Sequence, residues 1–275
     1  MRRSTAPMRT PGRRQRRSAP MGNIMALAQK ELRAYFVSPI AYVVLGLFAV
    51  LFGVFYVASL NLMVQLSMGQ FGAGGPQVVN INEFMIRPLF GNTSVVLLFM
   101  LPMLTMRSYA EEKRSGTMEL LLTSPLTDLQ IVMGKFLGAM ALYALMLSLT
   151  LIHIGVLFWY GEPEWAPLLS GYLGLLLMGG SFISIGLAIS SMTKNQIVAG
   201  VATFAVLLLF WVINWIGDAS GTTTQAVLAY LSILEHFDDF SKGVIDTTHL
   251  TYYGSFITLG LFLTAKSMDS ERWNG

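Results

Sequence analysis

Residues 38–60 read SPIAYVVLGLFAVLFGVFYVASL, and no charged side chain interrupts them. A bilayer core of about 30 Å is crossed by about 20 apolar residues rising 1.5 Å each. Residues 40–60 meet that length, and Ser38 followed by Pro39 supplies a capping hydroxyl and a proline at the first helical position. The stretch predicts a membrane-crossing helix with a defined start. Composition extends the reading to the whole chain. Of 275 residues, 54% are hydrophobic and 12% charged, about half the charged fraction usual in soluble domains. Cysteine is absent, which excludes a disulfide framework or a thiolate metal site.

Toward the N-terminus, residues 24–37 are too short and too charged to cross. Ile24, Leu27, Ala28, Leu32, Tyr35 and Phe36 recur at helical spacing, with Gln29, Lys30 and Arg33 elsewhere on the wheel. This predicts an amphipathic helix lying along the membrane interface and leading into the first span. Residues 1–20 hold seven arginines (Arg2, Arg3, Arg9, Arg13, Arg14, Arg16, Arg17) among Ser, Thr and Pro. They have nothing to bury and read as a disordered basic extension able to meet anionic lipid. Met21 is an alternative start, and residues 21–275 are expected to form one membrane domain. A twin-arginine export signal fits poorly, because no apolar stretch follows until Ile40.

Toward the C-terminus, five more spans follow: residues 88–106, interrupted by Pro102; 132–160; 168–190; 197–216; and 250–265. Thr127 and Gln130 offer a capping box before the third, which is long enough that its Lys135 end should project into water. Tyr252 and Tyr253 suit the headgroup level at the start of the sixth. The expected fold class is all-α, a polytopic membrane protein with six transmembrane helices. Six spans divide the rest of the chain into two alternating sets. The set containing both termini holds 16 of the 18 Lys and Arg, and the other holds only Arg87 and Lys242. Lys and Arg are retained on the cytoplasmic side, so both termini are expected there.

Polar residues elsewhere are less telling. Residues 61–87 form an external loop, glycine-rich around 71–76. In residues 217–249, Val227, Leu231, Leu234, Phe237, Val244 and Ile245 suggest short amphipathic helices at the outer leaflet, beside Glu235, His236, Asp238 and Asp239. These residue types, with His249, would suit a metal. No helical ligand pair with a third partner stands out, so a solvated charge run is the better reading. His153, inside the third span, is a functional candidate by default. A neutral imidazole is cheap to bury, however, and a hydrogen-bonded packing residue is preferred. Gly171, Gly174, Gly179, Gly180, Ser181, Ser184 and Gly186 give the fourth span a small-residue surface, which belongs deep in a bundle or at a subunit contact.

The informative polar segment lies between spans two and three: residues 107–128, RSYAEEKRSGTMELLLTSPLTD. Residues 107–115 suit a short helix that Gly116 can end in a left-handed conformation. Thr117 can cap a second helix, with Glu119 in its first turn. Leu120, Leu121 and Leu122 follow, and Ser124-Pro125 stops it. The expected product is a bent helical pair carrying three carboxylates and an apolar ridge, a docking surface and not an active site.

The run from Glu111 to Pro125, EEKRSGTMELLLTSP, resembles the signature of ABC-2 type transporter permeases. Residues 233–246, ILEHFDDFSKGVID, and the Arg272-Trp273 ending resemble the permeases associated with gliding motility. The resemblance runs from Ile24 to Trp273. It implies a non-catalytic permease subunit of an ATP-driven transporter, an exporter in a bacterial inner (plasma) membrane, in which an ABC ATP-binding subunit and a second permease subunit, identical or not, are partners. Glu111, Glu112, Gly116, Thr117, Glu119, Leu120 and Pro125 would then belong to the segment that meets the ATPase. This chain would bind no cofactor, with ATP and Mg on the partner, and no nucleic acid. No G-x-x-x-x-G-K-[ST] occurs; Gly134-Lys135 lacks the first glycine and the hydroxyl. Two other classes share some of these features. A membrane-embedded protease with an E-E-x-x-x-R motif meets Gly116 where the arginine belongs. A membrane scaffold anchoring an ATPase without transport fits the residues too, because no substrate constellation stands out.

Overall fold

The computed structural model describes residues 20–69, 80–218 and 222–274. The expected basic extension and the glycine-rich part of the first external loop lie outside the described residues. Every regular element among the described residues is helical. In chain order these are α1 (Pro20–Val37), α2 (Pro39–Ser67), a π-helical turn (Asn82–Ile86), α3 (Arg87–Thr105), α4 (Ala110–Ser115), α5 (Met118–Leu122), α6 (Asp128–Tyr160), α7 (Trp165–Met192), α8 (Gln196–Asp218), α9 (Thr222–Leu231), α10 (Ile233–Ser241) and α11 (Thr247–Asn274). Among the described residues, five stretches are long and apolar enough to cross a membrane: Pro39–Ser67, Asn82–Ser115, Asp128–Tyr160, Trp165–Met192 and Gln196–Ile213.

Local chemistry sets the starts. Ser38 accepts a hydrogen bond from the Ile40 amide, with Pro39 opening α2. Thr127 and Gln130 close a reciprocal capping box at the head of α6, satisfying two orphan amides. Pro102 is absorbed inside α3, which continues to Thr105.

α7 is the central helix. In its apolar window 72% is buried, against 28% for α2 and 22% for α8. Its small residues are the reason. A Cβ on Gly171, Gly179 or Gly186 would fall 2.1–2.2 Å from Phe90, Tyr143 or Thr105, so α3 and α6 press directly on its backbone. Such close approach supplies the packing that holds helices together where lipid is as apolar as the side chains.

α11 is 28 residues long but more polar than the others, and its polarity is spent on α7. Ser181 and Ser184 of α7 donate to the carbonyls of Tyr253 and Phe256, and Ser267 donates to that of Ser191. The pairs advance together along both chains, so α11 runs parallel to α7, while Leu259, Phe262 and Leu263 remain exposed. Tyr252 and Tyr253, expected at the headgroup level, turn into the bundle. They are 4% and 0% exposed, and their hydroxyls donate to Leu231 and Ile233, closing the carbonyls where the chain breaks between α9 and α10.

α10 drops its apolar face onto α7. Phe237 and Phe240 lie over Gly174, and Ser170 donates to the Phe240 carbonyl. Phe237 thus turns inward, while Val227, Val244 and Ile245 stay exposed. His153 packs between the rings of Phe52 and Tyr56, at 5.3 and 5.2 Å. Its Nδ1 is buried with no hydrogen-bond partner. The expected packing role stands, without the hydrogen bond.

Candidate functional site

The segment between α3 and α6 is a bent helical pair, as its sequence predicts. α4 ends at Gly116, whose φ of 73° is left-handed. A Cβ there would meet nothing within 4 Å, so only backbone conformation favours glycine. α5 follows with Glu119 in its first turn. Thr117 does not cap α5, which corrects the sequence reading. Its backbone is right-handed helical, not extended, so its hydroxyl cannot reach forward. It turns back to the Glu112 carbonyl and to Ser115, closing the bend from the α4 side.

The three carboxylates do not share one surface. Glu111 takes a two-pronged bond from Arg107, at 2.9 and 3.2 Å. Glu112 turns inward to Lys135 at 2.8 Å. Glu111 stays half-exposed in its pair with Arg107, and Glu119 points outward, with no salt bridge among the described residues, beside Leu120, which is 73% exposed. Gly116, Thr117 and Pro125 are exposed with them, whereas Met118 is buried and Leu121 packs on the core. The outer face available to a partner is therefore Glu119, Leu120, Pro125 and the exposed Leu129.

Lys135 does not project into water, contrary to expectation. Its side chain is 1% exposed. The ammonium donates to Glu31 of α1 at 3.2 Å, to Glu112 at 2.8 Å and to the Ser108 carbonyl at 2.9 Å, and it sits 5.0 Å from the Tyr109 ring centroid. The reason is that α1 and α4 cover the first turns of α6. α1 seats Leu27 against Gly134 and Ala28 and Glu31 against Gly138, so the apolar face read as membrane-facing meets α6 instead. Two carboxylates and a carbonyl then replace the water that Lys135 loses. Burial also raises Tyr35 of α1 to about 12, so its hydroxyl stays protonated beside Ser108.

Two further ties were not foreseen. Ser190, 0% exposed near the end of α7, accepts from the amides of Tyr109 and Ala110 and donates to the Met106 carbonyl. A side chain of a spanning helix thereby caps α4 from outside. Lys113 and Asp128 reach α11 through Glu271 at 2.6 Å and Arg272 at 3.0 Å. Nothing local in the sequence marks Ser190. Lys135 did carry a signal, since it is a lone cation between Gly134 and Gly138 near the start of an apolar run.

At the opposite end of the bundle, the polar run around α10 is spent on its own contacts. Asp238 bonds Arg87 at 2.6 Å and Lys242 at 2.5 Å. Burial pushes its carboxyl upward, but bonds from Lys242 and Arg87 outweigh this and leave it below the usual range. The bond from His249 lowers Asp239 as well. The two histidines meet Nδ1 to Nδ1 at 2.6 Å, and their other nitrogens face Tyr230 O and Asp239 Oδ2 at 2.9 and 3.0 Å. Both outer partners are acceptors when Asp239 is ionised, so two neutral imidazoles, with one ring hydrogen each, serve two of the three contacts. Among the described residues, no group of three or more His, Asp or Glu is arranged to hold a metal.

The pattern of the ABC-2 family transporter proteins matches residues 76–217, just over half of the chain. The matched region contains α3 to α7 and nearly all of α8, including the whole bent segment. Among curated proteins, the probable multidrug ABC transporter permease YbhR of Escherichia coli K12 is 30% identical over 145 residues, and so is its counterpart in Escherichia coli O157:H7. The match covers 51% of this chain and 38% of each relative.

Proposed function

The chain belongs to the ABC-2 family of transporter proteins, and we propose that it is the permease subunit of an ATP-driven exporter whose segment between α3 and α6 receives force from a separate ATPase. The observation that carries this is the tying of that segment. Glu112 and Lys135 join it to α1 and α6, Ser190 to α7, and Lys113 to α11. Movement of its exposed face, Glu119 and Leu120, would reach several spanning helices through buried or short polar contacts. ATP binding would then favour one state of the bundle through differential contact with that face. ATP and Mg belong to the partner, and this chain contributes no catalytic group.

In this reading the bundle has six spans, with both termini cytoplasmic. Support comes from α11. It starts at the end that holds Asp239 and finishes at the end that holds Lys113 and Asp128, and it runs beside α7, which meets the span criterion. α1 and the finish of α11 both reach the same segment, which an even number of crossings requires. The Lys and Arg asymmetry makes that end cytoplasmic. Residues 21–275 form one membrane unit that works as a dimer of permease subunits in lipid, and residues 1–20 are dispensable for its folding. A role in gliding motility rests on residues 233–246 and the Arg272-Trp273 ending. A deletion strain with normal spreading on surfaces would remove it.

The test is co-purification of an ABC ATPase encoded beside this chain, with ATP-dependent flux in proteoliposomes. Gly116→Val places a β-branched residue in a left-handed conformation at a cost of about 1–2 kcal/mol, and Glu119→Lys reverses the outward charge. Each variant should insert normally yet lose ATPase retention or coupled flux at equal membrane abundance. Wild-type behaviour of both would reduce the segment to a connector.

A further inference from the structure

The two histidines at the α10 end are held by contacts that fix where their ring hydrogens lie. His236 is 4% exposed, and Tyr252 stacks on its ring at 3.8 Å. Its Nε2 faces the Tyr230 carbonyl at 2.9 Å. A carbonyl oxygen only accepts, so this nitrogen carries a hydrogen. A neutral His236 then has a bare Nδ1, and the 2.6 Å contact with His249 Nδ1 takes its hydrogen from His249. His249 Nε2 faces Asp239 Oδ2 at 3.0 Å, and an ionised carboxylate also only accepts. His249 therefore carries both ring hydrogens. The arrangement holds one proton more than two neutral rings and a carboxylate.

The surroundings set that count at one. The extra proton does not belong on Asp239, because bonds from His249 and Lys242 hold that carboxyl below its usual range. A second proton, on His236, is opposed by burial and would aim two ring hydrogens at each other. Glu235, Asp238 and Asp239 of α10 and Asp246 before α11 surround the pair, against Lys242 and Arg87 of α3. Four carboxylates thus meet two fixed cations, and a further positive charge is favoured. Tyr230, Tyr252 and Tyr253 complete the lining as neutral phenols. α7 meets α10 through Ser170 and Gly174, which carry no charge.

We propose that His236, His249 and Asp239 form a binding site for a single proton, which ties the end of α9, the middle of α10 and the start of α11 together. With the proton bound, all three contacts are made. When it leaves, two ring hydrogens remain for three contacts, and one contact sets lone pair against lone pair. In the unfolded chain the partners are apart, so the folded cluster binds this proton more tightly. The stabilisation is present while the proton is bound and is lost as pH rises and the pair releases it. Acid loosens the same region by forcing the second proton onto His236, so protection of α10 peaks at intermediate pH. The site requires neither transport nor a membrane orientation. In the six-span reading it faces outward and responds to external pH.

The experiment uses the full chain in nanodiscs with 15N-labelled histidine. Ring-nitrogen shifts should show His249 doubly protonated and His236 neutral with its hydrogen on Nε2, and the two should titrate together on the alkaline side. His153→Phe removes the third histidine and should leave this titration unchanged. Hydrogen exchange at α10 and residues 247–253, corrected for intrinsic rates, should rise about tenfold or more as the pair deprotonates, the value of one hydrogen bond to a charged group. Asp239→Asn separates proton binding from packing. Its amide N–H can donate to His249 Nε2, so the three contacts need no extra proton, and the alkaline rise should vanish. The ring-nitrogen measurement on the unaltered chain decides if this variant folds poorly. Two neutral rings at the pH where α10 is most protected, or an alkaline rise that persists in Asp239→Asn, would overturn the proposal.

Discussion

The two ends of the bundle are both laced with ion pairs, yet they are built for different work. At the end that carries the bent segment, the hub is Lys135, 1% exposed and surrounded by Glu31, Glu112 and a carbonyl. At the end that carries α10, Arg87, Asp238, Asp239 and Lys242 are each about 40% exposed. Charges in water attract weakly and are screened. Charges removed from water are held in place by the cost of leaving them unpaired. In the proposed reading the first end is the one that passes on displacement, whereas the pairs of the second are open to loosening by solvent and pH.

The sharpest way to break this contrast is Lys135→Met. It leaves Glu31 and Glu112 buried together, and loss of one partner of a buried pair costs about 3–5 kcal/mol. Thermal unfolding in detergent should fall accordingly, with α1 gaining hydrogen exchange first. An unchanged midpoint would show that water reaches the hub.

Ser190→Ala comes next. It strips two buried amides and one carbonyl of their partner, at about 1–3 kcal/mol. Hydrogen exchange should rise locally at residues 106–112 while α7 stays protected. Uniform exchange across the bundle would mean that Ser190 is merely a packing residue.

Asp238→Asn at the other end should cost only about 0.2–1 kcal/mol, because the pairs are exposed. The loss should shrink further in high salt, whereas that of Lys135→Met should not. A salt-independent loss of several kcal/mol would erase the distinction between the ends.

The smallest effect is the pH response of α10. Burial lowers the pKa of His236 from its ordinary 6.5, so the unfolded chain takes up this proton first. The stability contributed is present above 6.5 and is lost as pH falls toward the folded value. Asp238 and Asp239 are also lowered from 3.8, so their contribution holds above 3.8 and disappears only below it. Exchange at α10, corrected for intrinsic rates, should rise first below pH 6.5 and again below 3.8, and His236→Asn should remove the first step. A single step would assign the response to the carboxylates alone.

The helical class, the five apolar spans and their caps are legible in the chain, because each follows from runs of neighbours: apolar length, Ser38-Pro39, and Thr127 with Gln130. So is the bend at Gly116, which only a residue without a Cβ adopts at little cost. The small-residue face of α7 was visible as spacing, and close packing was its foreseeable consequence. What the tertiary structure alone decided is where polar side chains spend their bonds. Lys135, placed in water by its spacing, lies in a buried hub, Tyr252 and Tyr253 donate to the carbonyls of Leu231 and Ile233, and Thr117 turns backward. Glu112, in sequence part of the docking segment, faces inward, and Ser190 caps a helix 80 residues away in sequence. A charged or hydroxyl side chain needs a partner wherever water is excluded. Which groups lose water depends on how α1, α4, α7 and α11 come together, and no local spacing records that.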